Sequence, residues 1–364
     1  MKTFFARTHN KQVSPLLWPL LPLEWGYRAT VSARLAGYGA GFFRKNEAAT
    51  QNPPVISIGN LTTGGTGKTP VTLAIAQGLI RRGMKVVILT RGYRAKTPQA
   101  YVRATSPDFG DEAYLLQKQV PQAVVISGKN RANNLKRAIA EYQPDVVLLD
   151  DGYQHLKVQR DLNILLIEGD RLFGNNHLLP LGPLREPLSE IRRADLIMIT
   201  KTLTSETLET VEGWVKRHCE KPVPVLPVVF SSEGLQSITQ NKIVPSHALR
   251  HCQAVAVSGI ANPDRFERDL QAFLTYKIFR HFKFDDHHAY TPDDAKTMLA
   301  FLDQCPKDTV LITTDKDWVK LQALIPAERH TGVYTLRVTP MLDFEWLYKE
   351  YLQPLFKKPM AVPS

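Results

Sequence analysis

Val55-Ile56-Ser57-Ile58-Gly59, followed by Asn60-Leu61-Thr62-Thr63 and then Gly64-Gly65-Thr66-Gly67-Lys68-Thr69-Pro70, decides the fold. Its first five residues read as a strand, and Pro70 to Arg82 read as a helix. A glycine-rich turn between strand and helix builds a phosphate cradle, because its backbone N–H groups converge on the anion and the helix adds its positive end. Thr62, Thr63, Gly64, Gly65, Thr66, Gly67, Lys68 and Thr69 are the nucleotide-binding residues this pattern predicts. Lys68 would reach the β- and γ-phosphates, and the Thr69 hydroxyl would join Mg²⁺. The strict pattern has glycine where Thr62 stands; the flanking strand and helix carry the reading in its place.

Outward from the cradle the pattern alternates. Strand-like runs at Val86–Thr90, Ala123–Ser127, Asp145–Asp150, Asn163–Ile167 and Asp195–Thr200 are separated by helical stretches at Glu112–Lys118, Asn130–Tyr142 and Leu184–Arg193. Continuous aliphatic strands alternating with helices predict an α/β fold: a mostly parallel, P-loop NTPase-like sheet covered by helices. After the helix Glu206–Cys219, prolines punctuate Val223–Phe230, which reads as a crossover or edge strand. Further strands (Ala254–Ser258, Thr309–Thr314, Gly332–Arg337) and helices (Pro263–Phe273, Pro292–Gln304, Asp343–Tyr351) follow. The expected organisation is an N-terminal segment over 1–50, a P-loop core over 51–221, and a second, smaller α/β domain over 222–364.

The chain has 364 residues and a net charge of +11, so anionic partners are expected. Its three cysteines, Cys219, Cys252 and Cys305, are far apart, which indicates neither a disulfide framework nor a zinc site. No stretch approaches the ~20 apolar residues of a spanning helix. The N-terminus is nonetheless distinctive. Trp25, Tyr27, Val31, Leu35, Tyr38 and Phe42 recur at helical spacing among Arg28, Arg34, Arg44 and Lys45, behind a Pro/Leu/Trp-rich lead-in. That is a basic amphipathic helix suited to a membrane surface, or else a helix packed on its own core.

Candidate chemistry lies in carboxylates. The apolar strand Val146-Val147-Leu148-Leu149 ends in Asp150-Asp151, where P-loop enzymes place an acid beside the metal. Gly110-Asp111-Glu112 opens a helix, and Asp111 serves there either as an N-cap or as a base for a substrate hydroxyl. Asp108-Phe109-Gly110 spells a protein-kinase triplet without the catalytic loop it requires. His287-His288 follows two acids; adjacent histidines lack helical zinc-ligand spacing.

Together with the cradle, the strings Arg91-Gly92-Tyr93, Gly110-Asp111-Glu112, Asp150-Asp151-Gly152-Tyr153-Gln154-His155, Arg160-Asp161-Leu162, Gly182-Pro183-Leu184-Arg185-Glu186-Pro187 and Asp286-His287-His288 resemble the tetraacyldisaccharide 4′-kinase (lipid A 4′-kinase) family. The resemblance implies ATP-dependent phosphorylation of the 4′-hydroxyl of a tetraacylated glucosamine disaccharide 1-phosphate, giving lipid IVA. It also implies a monotopic enzyme on the cytoplasmic face of the bacterial inner membrane. By similarity Lys68 and Thr69 serve ATP and Mg²⁺, Asp150 and Asp151 the metal and phosphates, and Asp111 is the base, supported by His287 or His288. Asn60, Arg91, Tyr93, Arg131, Arg185 and Glu186 fall on the substrate side.

Rival classes fit less well. A cargo-partitioning ATPase carries an extra lysine where Thr63 stands. A GTPase would follow Thr200-Lys201 with an acid two residues on, and Leu203 is there. Basic and aromatic residues form no nucleic-acid reader, so nucleic acid is not an expected partner. A non-enzymatic membrane module would leave the carboxylates without a purpose.

Overall fold

The structure, a computed structural model, describes residues 15–43, 53–92, 101–201, 204–244, 246–249, 252–274, 277–286 and 288–356. It divides into two compact units, Met1–Val229 with Pro340–Ser364, and Phe230–Thr339. The sequence had placed the boundary at 222 and kept everything after it in the second domain. The C-terminal stretch groups instead with the first unit, for a reason given below.

In the first unit a helix α1 (Leu21–Gly39) precedes β1 (Val55–Gly59), α2 (Lys68–Arg81), β2 (Val86–Thr90) and the short β3 (Val102–Arg103). Then come α3 (Asp111–Gln119), β4 (Val124–Ser127), α4 (Arg131–Tyr142), β5 (Val146–Asp150), β6 (Leu162–Glu168), β7 (Leu196–Thr200), α5 (Ser205–His218) and β8 (Val225–Ser237). The strand order is β8-β7-β6-β1-β5-β2-β4-β3. Every pairing is parallel except β3 with β4. β1, β2, β5, β6 and β7 are buried at every residue, as strands covered on both faces must be. One apolar layer gathers Leu61, Tyr153, Leu165 and Ile197, the other Val55, Leu89, Leu135 and Leu149. Residues Leu184 to Pro187, expected to begin a helix, instead include a bridge between Leu184 and Thr62, and only Leu188–Arg193 turns helically, as a 3₁₀ segment.

The C-terminal segment returns to α2. Phe344 lies so close to Gly78 that a Cβ there would stand 2.3 Å from the ring. The Arg82 guanidinium sits 5.0 Å from the Phe344 centroid and 4.0 Å from that of Tyr348, and pairs with Glu345. An aromatic residue over a glycine groove with a cation on both rings is a specific seat, which accounts for the grouping.

α1 has two faces. Val31 is buried, the Tyr27 hydroxyl donates to the Arg185 carbonyl (2.9 Å), and Arg34 reaches the Gln154 carbonyl. Glu24, 2% exposed, accepts from Arg28 (2.8 Å) and the Leu178 amide (3.1 Å) and lies 3.0 Å from His177 Nδ1. On the other face Trp25 is 64% exposed, and Trp18, in the 3₁₀ turn Pro15–Leu20 that leads into α1, is 61% exposed. Burial pushes the Glu24 carboxyl up, but its hydrogen bonds outweigh burial and hold it below 4.5. Its stabilising contribution is therefore complete above about pH 4.5 and lost as pH falls through the lower folded-state value. Glu24→Gln should cost ~1–3 kcal/mol near neutral pH in denaturant titrations. That gap should close in acid, and a constant gap would contradict the pairing.

The second unit contains the later residues of β8, then β9 (Ile243–Val244), β10 (Ala254–Ser258), α6 (Pro263–Gln271), β11 (Ile278–Lys283), α7 (Pro292–Asp303), β12 (Val310–Thr313), α8 (Asp315–Leu321) and β13 (Val333–Met341). Its order is β11-β10-β12-β13-β8, with β9 antiparallel to β8. Among the described residues no helix is long and apolar enough to cross a membrane.

Candidate active site

The cradle forms where the sequence places it, between β1 and α2. Gly64 and Gly67 have φ of 106° and 84°, backbone that a side chain resists. Gly67 caps α2, so Lys68 and Thr69 open the helix, where N–H groups lack intrahelical acceptors. A remote segment holds the entry limb: the Thr63 amide donates to the Pro183 carbonyl (2.8 Å), and the Arg185 amide to that of Leu61 (2.8 Å).

Lys68 Nζ lies 3.3 Å from Asn60 Oδ1 and 3.5 Å from Asp151 Oδ1. Asn60 is fully buried and its carbonyl accepts from Gln154 (2.8 Å). Its side chain thus aims the lysine. Gly59 makes this closeness possible, since a Cβ there would meet the Tyr153 amide nitrogen at 2.6 Å.

The two acids at the end of β5 have opposite surroundings. Asp150, 4% exposed, accepts from the Thr72 hydroxyl at 3.0 Å. Burial, then the Glu112 and Asp151 carboxylates, push its pKa up to about 6 against the pull of Lys68 and Thr72. It is a carboxylate short of positive charge. Asp151 adopts φ of 49° and is surrounded by cations: Arg185 Nη1 donates to both its oxygens (3.2 and 3.0 Å), and Arg131 donates to its carbonyl (2.9 Å). Burial pushes its carboxyl up, but Lys68, Arg185 and Arg131 more than offset this and hold it well below the usual range.

Among the described residues no group of three or more His, Cys, Asp or Glu could hold a metal ion. Mg²⁺ needs no such group, because it keeps waters and takes one or two carboxylates plus substrate phosphates. Asp150 and Thr69 fit that need, the first by its uncompensated charge.

Glu186 is 1% exposed and pairs with Arg193 and, at 3.5 Å, with Arg34, so it ties α1 to the site's floor. Arg131 is likewise buried, and Arg91 is exposed at the end of β2. Asp111 is the first residue of α3, behind Gly110 at φ of 114°. Tyr93 and His287 lie outside the described residues. In the second unit, His288 Nε2 lies 2.9 Å from Asp294 Oδ2 and its ring stacks on Phe284, with centroids 4.6 Å apart.

Several contributors were not singled out from sequence. Thr72 lies one helical turn beyond Lys68 and so faces the same way, a signal that was available. Gln154 lies on a string quoted above, but its partner Asn60 is remote in the chain; Arg193 joins the nearby Glu186 and Glu190 to the remote Tyr153 carbonyl.

The model of the tetraacyldisaccharide-1-P 4′-kinase family matches residues 16–353. This chain belongs to that family. It is similar to the tetraacyldisaccharide 4′-kinase of Desulfotalea psychrophila, 35% identical over 315 residues, 84% of this chain and 87% of that one. The 4′-kinase of Alcanivorax borkumensis is 36% identical over 314 residues, 84% of this chain and 85% of its own length. Among solved structures, LpxK from Aquifex aeolicus in complex with ATP is similar with a TM-score of 0.73 and 31% identity, over 94% of this chain and 99% of that one. A 4′-kinase fold is thus established for this chain.

Proposed function

We infer that this chain is an ATP-dependent kinase that transfers the γ-phosphoryl group to the 4′-hydroxyl of a tetraacylated glucosamine disaccharide 1-phosphate, giving lipid IVA. The observation that carries the mechanism is the unequal pair at the end of β5, beside the cradle lysine. Asp151, already saturated by Lys68 and Arg185, fixes both cations for the phosphates. Asp150, with Thr69, is left for Mg²⁺. Held there, the metal would neutralise charge on the phosphates.

Asp111 accepts the proton from the sugar 4′-hydroxyl as that oxygen bonds to the γ-phosphorus, and ADP leaves with the electrons of the broken bond. Transfer of this kind depends mostly on positioning and charge, which the buried Asn60, Arg131 and Glu186 supply by bracing the groups above them.

The lipid requires a bilayer-facing enzyme, and we assign this one to the cytoplasmic face of the inner membrane. α1 supports this: its inner face is fixed by Glu24, Tyr27 and Arg34, while Leu23 and Trp25 stay exposed, as does Trp18 in the 3₁₀ turn Pro15–Leu20 before it. Tryptophans suit the interface between headgroups and acyl chains. The test is phosphate transfer from Mg-ATP to detergent-dispersed or vesicle-borne glycolipid. Transfer should require the lipid, and ATP turnover indifferent to it would favour a cargo ATPase. In the vesicle arm, Trp18→Ser with Trp25→Ser should cut partitioning ~10-fold or more, with activity in detergent retained. Unchanged partitioning would remove α1 from the membrane.

A further inference from the structure

The geometry points to Thr200 as a positioning residue that sets the cradle for phosphate. Thr200 ends β7 and is fully buried. Its hydroxyl lies 2.8 Å from the Thr66 carbonyl oxygen and 3.4 Å from that of Ile167. A hydroxyl has one proton to give, and the shorter contact takes it. In a planar trans peptide the carbonyl and the following N–H point in opposite directions. Holding the Thr66 carbonyl inward on β7 therefore turns the Gly67 N–H outward, toward the mouth where Gly64 and Gly65 are exposed.

Among the described residues no other hydrogen bond holds the Thr66–Gly67 peptide. The Thr66 side chain is 2% exposed and its own hydroxyl is buried without a hydrogen-bond partner among the described residues. The loop is thus braced at its entry limb by Pro183 and at its apex by Thr200. The next residue, Lys201, leaves the strand at φ of 72° with its ammonium 2.5 Å from Glu168 Oε1. The Thr-Lys pair that resembles half of a guanine-selecting motif has a different task here: its threonine supports the loop.

This rests on the loop being the triphosphate cradle. The test uses the full chain in detergent, with calorimetric Mg-ATP binding and steady-state kinetics. Thr200→Val keeps the shape and removes the donor. Its Kd and KM for ATP should rise ~10-fold, with KM for the glycolipid within about twofold of wild type. Thr200→Ser should restore ATP affinity to within about threefold. A purely structural role would lower the melting temperature and spare ATP affinity in the folded chain; that result, or failure of serine to rescue, overturns the proposal. Should the valine chain not fold, Thr200→Cys, a weaker donor, must bind Mg-ATP less tightly than wild type, and equal binding overturns it too. Wild-type chain that binds no Mg-ATP would remove the cradle reading as well.

Discussion

Lys68→Ala should lower turnover by ~10³-fold, the largest single loss expected in this molecule. In the proposed mechanism the ammonium meets the negative charge that develops on the transferred group, and it is preorganised: Asn60 Oδ1 at 3.3 Å and Asp151 Oδ1 at 3.5 Å hold it. Removing it leaves Asp151 with less compensation beside Asp150, so two carboxylates repel the incoming phosphates. Lys68→Arg should not rescue, because a planar fork cannot replace a point charge seated between an amide and a carboxylate. Single-turnover transfer from labelled ATP to the glycolipid measures this directly. A loss below about tenfold would mean that the lysine does not face the reacting phosphate.

Asp111→Ala should lower turnover by ~10²-fold or more while Mg-ATP binds about as tightly as before. The asymmetry follows from location. Asp111 opens α3, whereas the glycine-rich loop, Lys68 and the paired acids lie between β1 and α2 and at the end of β5. Asp150 is the rival base, since a carboxyl near 6 is well matched to proton transfer. Its 4% exposure and its bond to Thr72 place it under the loop instead, and loss of Asp150 should weaken Mg²⁺ binding, which loss of Asp111 should not. Near-normal turnover in the folded Asp111→Ala chain would transfer the base role elsewhere.

The cradle and the parallel strands were legible because each is local: glycines at a turn, and aliphatic runs buried on both faces. The acids at 150 and 151 were legible as a pair but not as a division of labour. That division is made by Lys68, Arg131 and Arg185, cations brought from a helix start, another helix and a loop. β11 was missed because Ile278-Phe279-Arg280-His281-Phe282-Lys283 is an edge strand, only partly buried and rich in charge. α8 was missed because seven residues are too few to show helical period, although Thr314 caps it through Asp317. His287 or His288 was expected to support Asp111, which stays a proposal; in its own unit His288 sits beside the Asp294 carboxylate at the capping box of α7. Such pairings depend on partners that sequence spacing does not reveal.

The return of Phe344 to Gly78 has a consequence for how the protein is made. The ribosome completes α2 long before it reaches the residues that cover it, because all of 230–339 is translated in between. At ~5–20 residues per second the nascent chain carries a bare glycine groove, with Arg82 lacking its aromatic partners, for on the order of tens of seconds. A polypeptide released early, anywhere before Phe344, would keep that flank open permanently and present it to chaperones and proteases. Completion of translation is thereby built into the maturation of the nucleotide site's own helix.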